Sequence, residues 1–471
     1  WTDNRTVKMV ASAGHVYGKN LIAAEAFTGE AQTSRWQDYP YALKALGDQM
    51  FAQGVNQFLV HRWAHQPNPR AMPGMTMGPW GINLEASNSW VPQARPWIEY
   101  LSRSQYMLRQ GIPVADVLYF VGEDSPNQAE YVRPQVSPDA NPKIGVHFDP
   151  QVPAGYQYDL VNAEVLLTRA KVKDGRIVLA NGASYRLLVI PQTVTGMTPP
   201  VAAKLRELVE AGMAVLGPKP THPMTLAGKA DNDAGFRASV DAVWGDGKAA
   251  RKAGAGRVFP GGSVRDALTA LKLSPDADCR TASPGGQVAW QHRKAGPTHI
   301  YFVANRQRRA ERVTCTFRVG SAAPALWDAE TRNVARATLF KTERDWTEAT
   351  FDLSPAGSTF VTLDFAAGAR RIDWVAKDGE RFVDTTATPA AKAPAPSNSF
   401  TLSLWAKPDI DLRLMPDEGV EGRIDETGKH YLIPARSGPD LHGGKTAIAG
   451  LALGRNGAFV IERAGPDSVP A

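Results

Sequence analysis

Gly14-His-Val-Tyr-Gly-Lys-Asn-Leu-Ile-Ala-Ala-Glu-Ala-Phe-Thr28 is the stretch on which the reading of this chain turns. Leu21 to Ala24 is a short apolar run of the kind that forms a buried strand, and it hands over directly to a carboxylate, Glu25. A second run, Val55-Asn-Gln-Phe-Leu-Val60, hands over in the same way to His61, followed by Arg62-Trp63-Ala64-His65-Gln66-Pro67. A parallel α/β barrel keeps its chemistry at the C-terminal tips of its strands. Two tips that end in Glu and His therefore predict an enzyme site.

Working outward, Pro40–Gly54 places Leu43, Leu46 and Met50 at helical spacing, with Gly54 positioned to stop the helix. The loop Gln66–Ser89, rich in Gly, Pro and Met, is longer than a connector needs to be, and such loops are usually functional. Pro92–Gly111 reads as a long helix. Two strands cannot close a barrel, so residues 1–111 are expected to be the C-terminal part of a (β/α)₈ barrel.

A second α/β unit is expected over residues 112–275. Val114–Val121, interrupted only by Asp116, is an apolar run of the buried parallel type. Tyr158–Leu167 reads as helix, Asp174-Gly175 as a hairpin turn, and Tyr185–Pro191 as a strand. Pro199–Gly212 is an amphipathic helix with Val201, Leu205, Leu208 and Val209 on one face, and Met213–Gly217 a strand after it. Strand, crossover helix and strand make a doubly wound sheet. Residues 285–370 alternate polar and apolar as an antiparallel β-sandwich does. Thr385–Ser399 has the composition of a linker, and residues 400–471 begin alternating again as a further, partial β domain.

Charge excludes little. The excess of 53 basic over 47 acidic residues is small, and the cluster Arg306, Arg308, Arg309, Arg312 has no interleaved aromatics. That favours a solvated face over nucleic-acid binding. No apolar run is long enough to span a bilayer. With no initiating Met and no signal segment, the chain reads as a piece of something larger. Cys279 and Cys315 allow one disulfide without fixing a compartment, and the absence of a CxxC or Cys/His cluster argues against structural zinc.

Glu25 is the first choice for a catalytic carboxylate, since glycoside cleavage needs two carboxyl groups and Ala23, Ala24, Ala26 and Phe27 surround this one with apolar neighbours. The competing reading is a Glu paired with an Arg inside a barrel core. His61 and His65 lie four apart, but a strand tip followed by Pro67 suits hydrogen bonding to hydroxyls better than metal ligation. Trp63 and Trp80 are read equally as sugar platforms or as packing, whereas Trp97 suits the core. Asn83, Glu85 and Asn88 carry groups that grip hydroxyls. Glu123 and Asp124 reach the same cleft or merely cap the end of a strand.

Taken together the segments resemble glycoside hydrolase family 106, the α-L-rhamnosidases. The residues that carry the likeness are Gly14-His-Val-Tyr-Gly18, Ala24-Glu-Ala-Phe-Thr28, Leu46-Gly-Asp48, Gly54-Val-Asn-Gln-Phe58 with His61, His65-Gln-Pro67 and Gly78-Pro-Trp-Gly-Ile-Asn83. The likeness continues through Tyr100-Leu-Ser-Arg-Ser-Gln-Tyr106, Val114-Ala-Asp-Val-Leu-Tyr-Phe120 and Gly122-Glu-Asp124. It runs more loosely to Tyr156-Gln-Tyr-Asp159 and Tyr185-Arg-Leu-Leu-Val-Ile-Pro191. The resemblance implies an inverting hydrolase of terminal α-L-rhamnose, secreted or periplasmic, with two glutamates on a barrel and calcium as a cofactor whose ligands it does not assign. Glu25 would be one of the pair, the other lying upstream of Trp1. His15, His61, Trp63, His65, Trp80 and Asn83 would bind carbohydrate. The unit from residue 112 resembles the flavodoxin-like, glutamine-amidotransferase-like domain of several glycosidases, without a Cys nucleophile. The region from Phe400 faintly resembles a concanavalin-like (laminin-G) jelly roll. A non-catalytic carbohydrate-binding protein and another exo-glycosidase, such as a β-galactosidase relative, are the alternatives.

Overall fold

The computed structural model describes residues 4–29, 37–68, 70–71, 74–75, 81–123, 151–226, 229–337, 340–364, 374–377, 380–384, 430–433, 447–454 and 457–464. The chain starts with helix α1 (Asn4–Tyr17), then β1 (Ala23–Ala26), α2 (Pro40–Ala52), β2 (Gln57–Val60) and α3 (Arg95–Leu108). β1 and β2 pair in parallel with Glu25 opposite Leu59, and α2 is the crossover that parallel strands require. On one face of the pair Phe58 stacks on Phe51 at 4.6 Å and meets Phe27 edge-on at 5.1 Å. Trp97 and Tyr100 of α3 are buried in the same cluster. On the other face Ala23, Glu25 and Leu59 are exposed. The strand read as buried is thus buried on one face only, because side chains alternate and only one set meets the helices. Among the described residues these two strands close no barrel.

Helix α1 is an element the sequence reading did not contain. It packs on the second unit, against β5 (Tyr158–Val161), rather than on β1. Gly14 permits this course: a Cβ there would stand 1.9 Å from Ile22 Cδ1.

The second unit has a six-stranded sheet in the order Arg251–Ala253, Gly256–Phe259, Ala214–Leu216, Leu187–Val189, β4 (Val117–Phe120), β5. All neighbours are parallel except the edge strand Arg251–Ala253. Leu118 and Phe120 enter one core and Val117 and Tyr119 the other, so both faces of β4 are covered. That is why its sequence is apolar without alternation. Tyr158–Leu167, read as helix, divides into strand β5 and the helix Ala163–Thr168. Pairing with β4 sets the strand, and the Asn162 side chain caps the helix by accepting from Val165 N at 3.0 Å.

The third unit is a sandwich. One sheet runs Val334–Arg336, Ala323–Trp327, Ser358–Asp364, Thr298–Asn305, Val288–Ala295, β3 (Ile112–Pro113); the other runs Ala277–Thr281, Glu311–Phe317, Thr347–Leu353, Phe340–Thr342. Its first contiguous strand therefore lies before residue 285, and an edge strand comes from residues 112–113. Cys279 and Cys315 stand opposite one another in register and form a disulfide. The sandwich packs on α2 and α3: Phe302 meets Phe51 at 5.9 Å, and the Lys44 ammonium reaches Ser358 Oγ at 3.1 Å and Asp48 at 2.8 Å. Farther on, His430–Ile433, Ala447–Gly454 and Gly457–Ala464 form an antiparallel sheet. The linker at 385–399 and the strand expected at Phe400–Trp405 lie outside the described residues.

Candidate active site

Glu25 lies inside β1, one residue before its end, on the open face. Its one described partner is Thr28, whose Oγ1 donates to Glu25 Oε1 at 2.8 Å. The Arg partner of the competing reading is not there among the described residues, and the apolar enclosure expected from neighbouring alanines is absent too, since the side chain is exposed. Phe27, at φ 63°, turns its ring back into the core beside Trp97 at 5.3 Å, leaving Thr28 to turn over the carboxylate.

His61 continues the β2 ladder, its N–H donating to Ala26 O at 3.1 Å. Being two residues past Leu59, it takes the same face as Glu25. Ile82 N donates to His61 O at 3.1 Å and Leu84 N to Arg62 O at 3.2 Å, so the returning loop lies along this tip. Gly81, at φ 110°, sits behind His61, where a Cβ would stand 3.4 Å from His61 O. His61 Nδ1 is buried with no hydrogen-bond partner among the described residues.

Beyond the tip, Trp63 is 61% exposed and its ring meets that of His65 edge-on at 6.2 Å. Gln66 holds the loop: its Nε2 donates to Met75 O at 2.7 Å and its Oε1 accepts from Met75 N at 2.8 Å. The same Nε2 reaches Glu85 Oε2 at 2.5 Å, and Ser87 Oγ donates to Glu85 Oε1 at 2.7 Å. Glu85 is fully buried, so this carboxylate braces the loop instead of facing a ligand. Its burial could not be read from sequence, because Gln66 and Ser87 meet it only once the loop has folded.

Asn83 is half-buried at φ 53°, with its carbonyl bound by Asn88 Nδ2 at 2.9 Å. Trp80 and Asp124 lie outside the described residues. Glu123 proves to be a helix cap: its carboxylate accepts from Thr198 N at 2.7 Å and Thr198 Oγ1 at 2.9 Å, ahead of the helix Pro199–Glu210. His15, expected to bind carbohydrate, is instead buried on α1 with Nδ1 2.9 Å from Asp159 Oδ1. The structure thus brings Glu25 and His61 to one edge, with Trp63 and His65 in the loop that leaves it, and sets His15 elsewhere. Calcium wants several convergent oxygen ligands. Among the described residues no three His, Cys, Asp or Glu converge in that way.

An exposed carboxylate and an imidazole thus stand on adjacent parallel strand ends, with an exposed indole in the loop that follows. Among known proteins the chain is similar to enzymes that cleave glycosides. The family model of glycoside hydrolase family 106, described as alpha-L-rhamnosidase, matches residues 2–341, and the chain belongs to that family, as the motif resemblance implied. A solved rhamnosidase from Novosphingobium sp. PP1Y superposes with a TM-score of 0.70 at 29% identity, over 81% of this chain and 34% of that one. A protein of Formosa agariphila named as a candidate beta-glucuronidase is 30% identical over 340 residues, 72% of this chain and 26% of that protein. A β-galactosidase from Bacillus circulans sp. alkalophilus reaches a TM-score of only 0.41 at 12% identity, over 75% of this chain and 57% of that one, which carries no argument. The chain spans about a quarter of the curated relative and about a third of the solved rhamnosidase.

Proposed function

We propose that this chain supplies the late strands of a glycoside hydrolase that removes terminal α-L-rhamnose with inversion, and that Glu25 is one of its two catalytic carboxylates. The observation that carries the reading is the exposed Glu25 carboxylate on the open face of a parallel strand, with His61 on the next strand end. An inverting pair stands roughly 6.5–9.5 Å apart to admit a water between the carboxyl groups. Glu85 and Glu123 are committed to protein donors, so neither is assigned as the second member. Its other oxygen has no partner among the described residues, and in this reading Glu25 takes a proton from water or gives one to the leaving oxygen. His61 and Trp63 would hold the sugar by hydrogen bonding and by covering its apolar face.

The test uses the full-length protein and an aryl α-L-rhamnoside. Glu25→Gln is expected to lower kcat on the order of 10²–10⁴-fold with an unchanged melting temperature. Wild-type turnover in that variant would overturn the assignment. The 471 residues alone, which present one assigned carboxylate, are expected to show no turnover; activity would place the second carboxylate within them. A panel of aryl glycosides, β-glucuronide and β-galactoside included, decides the sugar. Binding of rhamnose without turnover in the full-length protein would favour a carbohydrate-binding role. A secreted or periplasmic setting is supported by the Cys279–Cys315 disulfide, since such bonds persist in oxidising compartments. No helix among the described residues is long and apolar enough to cross a membrane.

A further inference from the structure

A cavity of about 100 Å³ lies where the three units meet, lined among others by His15, Asn20, Gly111, Asn181 and Arg293. Each unit contributes: α1 and the turn after it, the turn after α3, the loop ahead of the strand Ser184–Tyr185, and Arg293 from the sandwich strand Val288–Ala295. Arg293 is 2% exposed. Its Nε donates to Gln110 O at 2.8 Å, and its Nη2 to Gly111 O at 2.8 Å and Asn20 Oδ1 at 3.2 Å. All three acceptors are neutral. No carboxylate of a described residue pairs with it, and burial alone lowers its pKa to about 10.

The half-buried guanidinium of Arg318 behaves differently. Arg318 Nη2 donates to both oxygens of Asp116 at 2.8 Å and lies 3.5 Å from Asp276. A buried cation without a counterion is costly, and proteins normally pair it. Exposed Lys19 stands at the mouth of the same cavity. The volume far exceeds what one water needs.

We propose that this cavity binds a small inorganic anion, of halide or oxyanion size, which neutralises Arg293 and ties the three units together. Arg293 and Lys19 supply N–H donors, and Gly111 keeps the wall thin: a Cβ there would stand 2.0 Å from Lys294 O. The site is separate from the Glu25 edge and does not depend on the proposed activity.

The 471-residue chain, freed of chloride, is titrated with sodium bromide against sodium gluconate of equal ionic strength, following the melting temperature. The proposal expects a saturable rise with bromide only, and in bromide-grown crystals an anomalous peak within about 3.5 Å of the Arg293 guanidinium. Arg293→Met should abolish the response. Because that variant can also fail to fold, Lys19→Glu is the companion: it should leave the anion-free melting temperature unchanged and raise the half-saturating concentration about fivefold or more, the weight of one opposed charge near the surface. A bromide response equal to that of gluconate, a Lys19→Glu response equal to wild type, or a cavity holding only water in bromide crystals would each overturn it.

Discussion

Glu25 and Asp159 are both carboxylates on parallel strands, yet the structure treats them in opposite ways. Asp159, 1% exposed, accepts from Ser12 Oγ at 3.1 Å and Tyr185 Oη at 3.0 Å, stands 2.9 Å from His15 Nδ1 and 3.7 Å from Lys8 Nζ. Burial pushes its pKa up, but the charges of His15 and Lys8 and the hydrogen bonds of His15 and Tyr185 outweigh that and hold it below the usual carboxylate value. Asp276 repeats the pattern, burial being outweighed by His292 and Arg318 and by the Tyr301 hydroxyl. Such carboxylates are fixed anions. Glu25 is exposed and, among the described residues, has one hydroxyl partner, Thr28. The proposed chemistry rests on the exposed carboxylate, and stability on the groups fully surrounded.

The sharpest way to break this contrast is Asp159→Ala. It would leave Lys8 and His15 buried without their anion, and should cost about 3–5 kcal/mol in denaturant-induced unfolding. A loss below about 1 kcal/mol would remove the distinction between the two regions.

The second probe is acid. His299 Nδ1 lies 2.9 Å from His292 Nε2, and burial, then the charges of His292 and Lys294, lower its pKa from 6.5 to about 4 against the opposing pull of Asp276. Between those values the unfolded chain binds a proton that the folded chain refuses. The folded state therefore loses stability as pH falls from 6.5 to about 4 and loses no more from this group below that. Melting temperatures across that window should fall less steeply in His299→Gln than in wild type; identical slopes would contradict the assignment. The smallest effect belongs to the open edge. Trp63→Ala should change unfolding free energy by no more than about 0.5 kcal/mol, while raising KM of the full-length enzyme. A large stability loss would make Trp63 a packing residue after all.

What could be read from the sequence was whatever rests on neighbours in the chain. The Pro199–Glu210 helix shows its buried face as Val201, Leu205, Leu208 and Val209, and the Asp174-Gly175 turn shows its conformation, both residues taking positive φ. The exposed setting of Glu25 at a strand end is likewise foreshadowed by the apolar run before it. The misreadings all depend on distant partners. Helix α1 is held by β5 and by Asp159, to which His15 is bound 144 residues away, so His15 looked like a free imidazole. Tyr158–Leu167 reads as helix throughout, and only the place of β5 beside β4 makes its first residues a strand. Glu123 caps a helix 75 residues on. None of these pairings leaves a local signature.

The two-residue strand β3 has a consequence for how the units can be separated. Between Leu108 and Val117 the backbone leaves the helix packed on β2, adds an edge to the sandwich opposite Arg293 and Lys294, and enters the doubly wound sheet. A connection sewn into a third body cannot serve as a hinge. The first and second units are therefore joined through the sandwich rather than by a free linker. Cutting the polypeptide at residue 113 to isolate the second unit would also strip a border strand from the third.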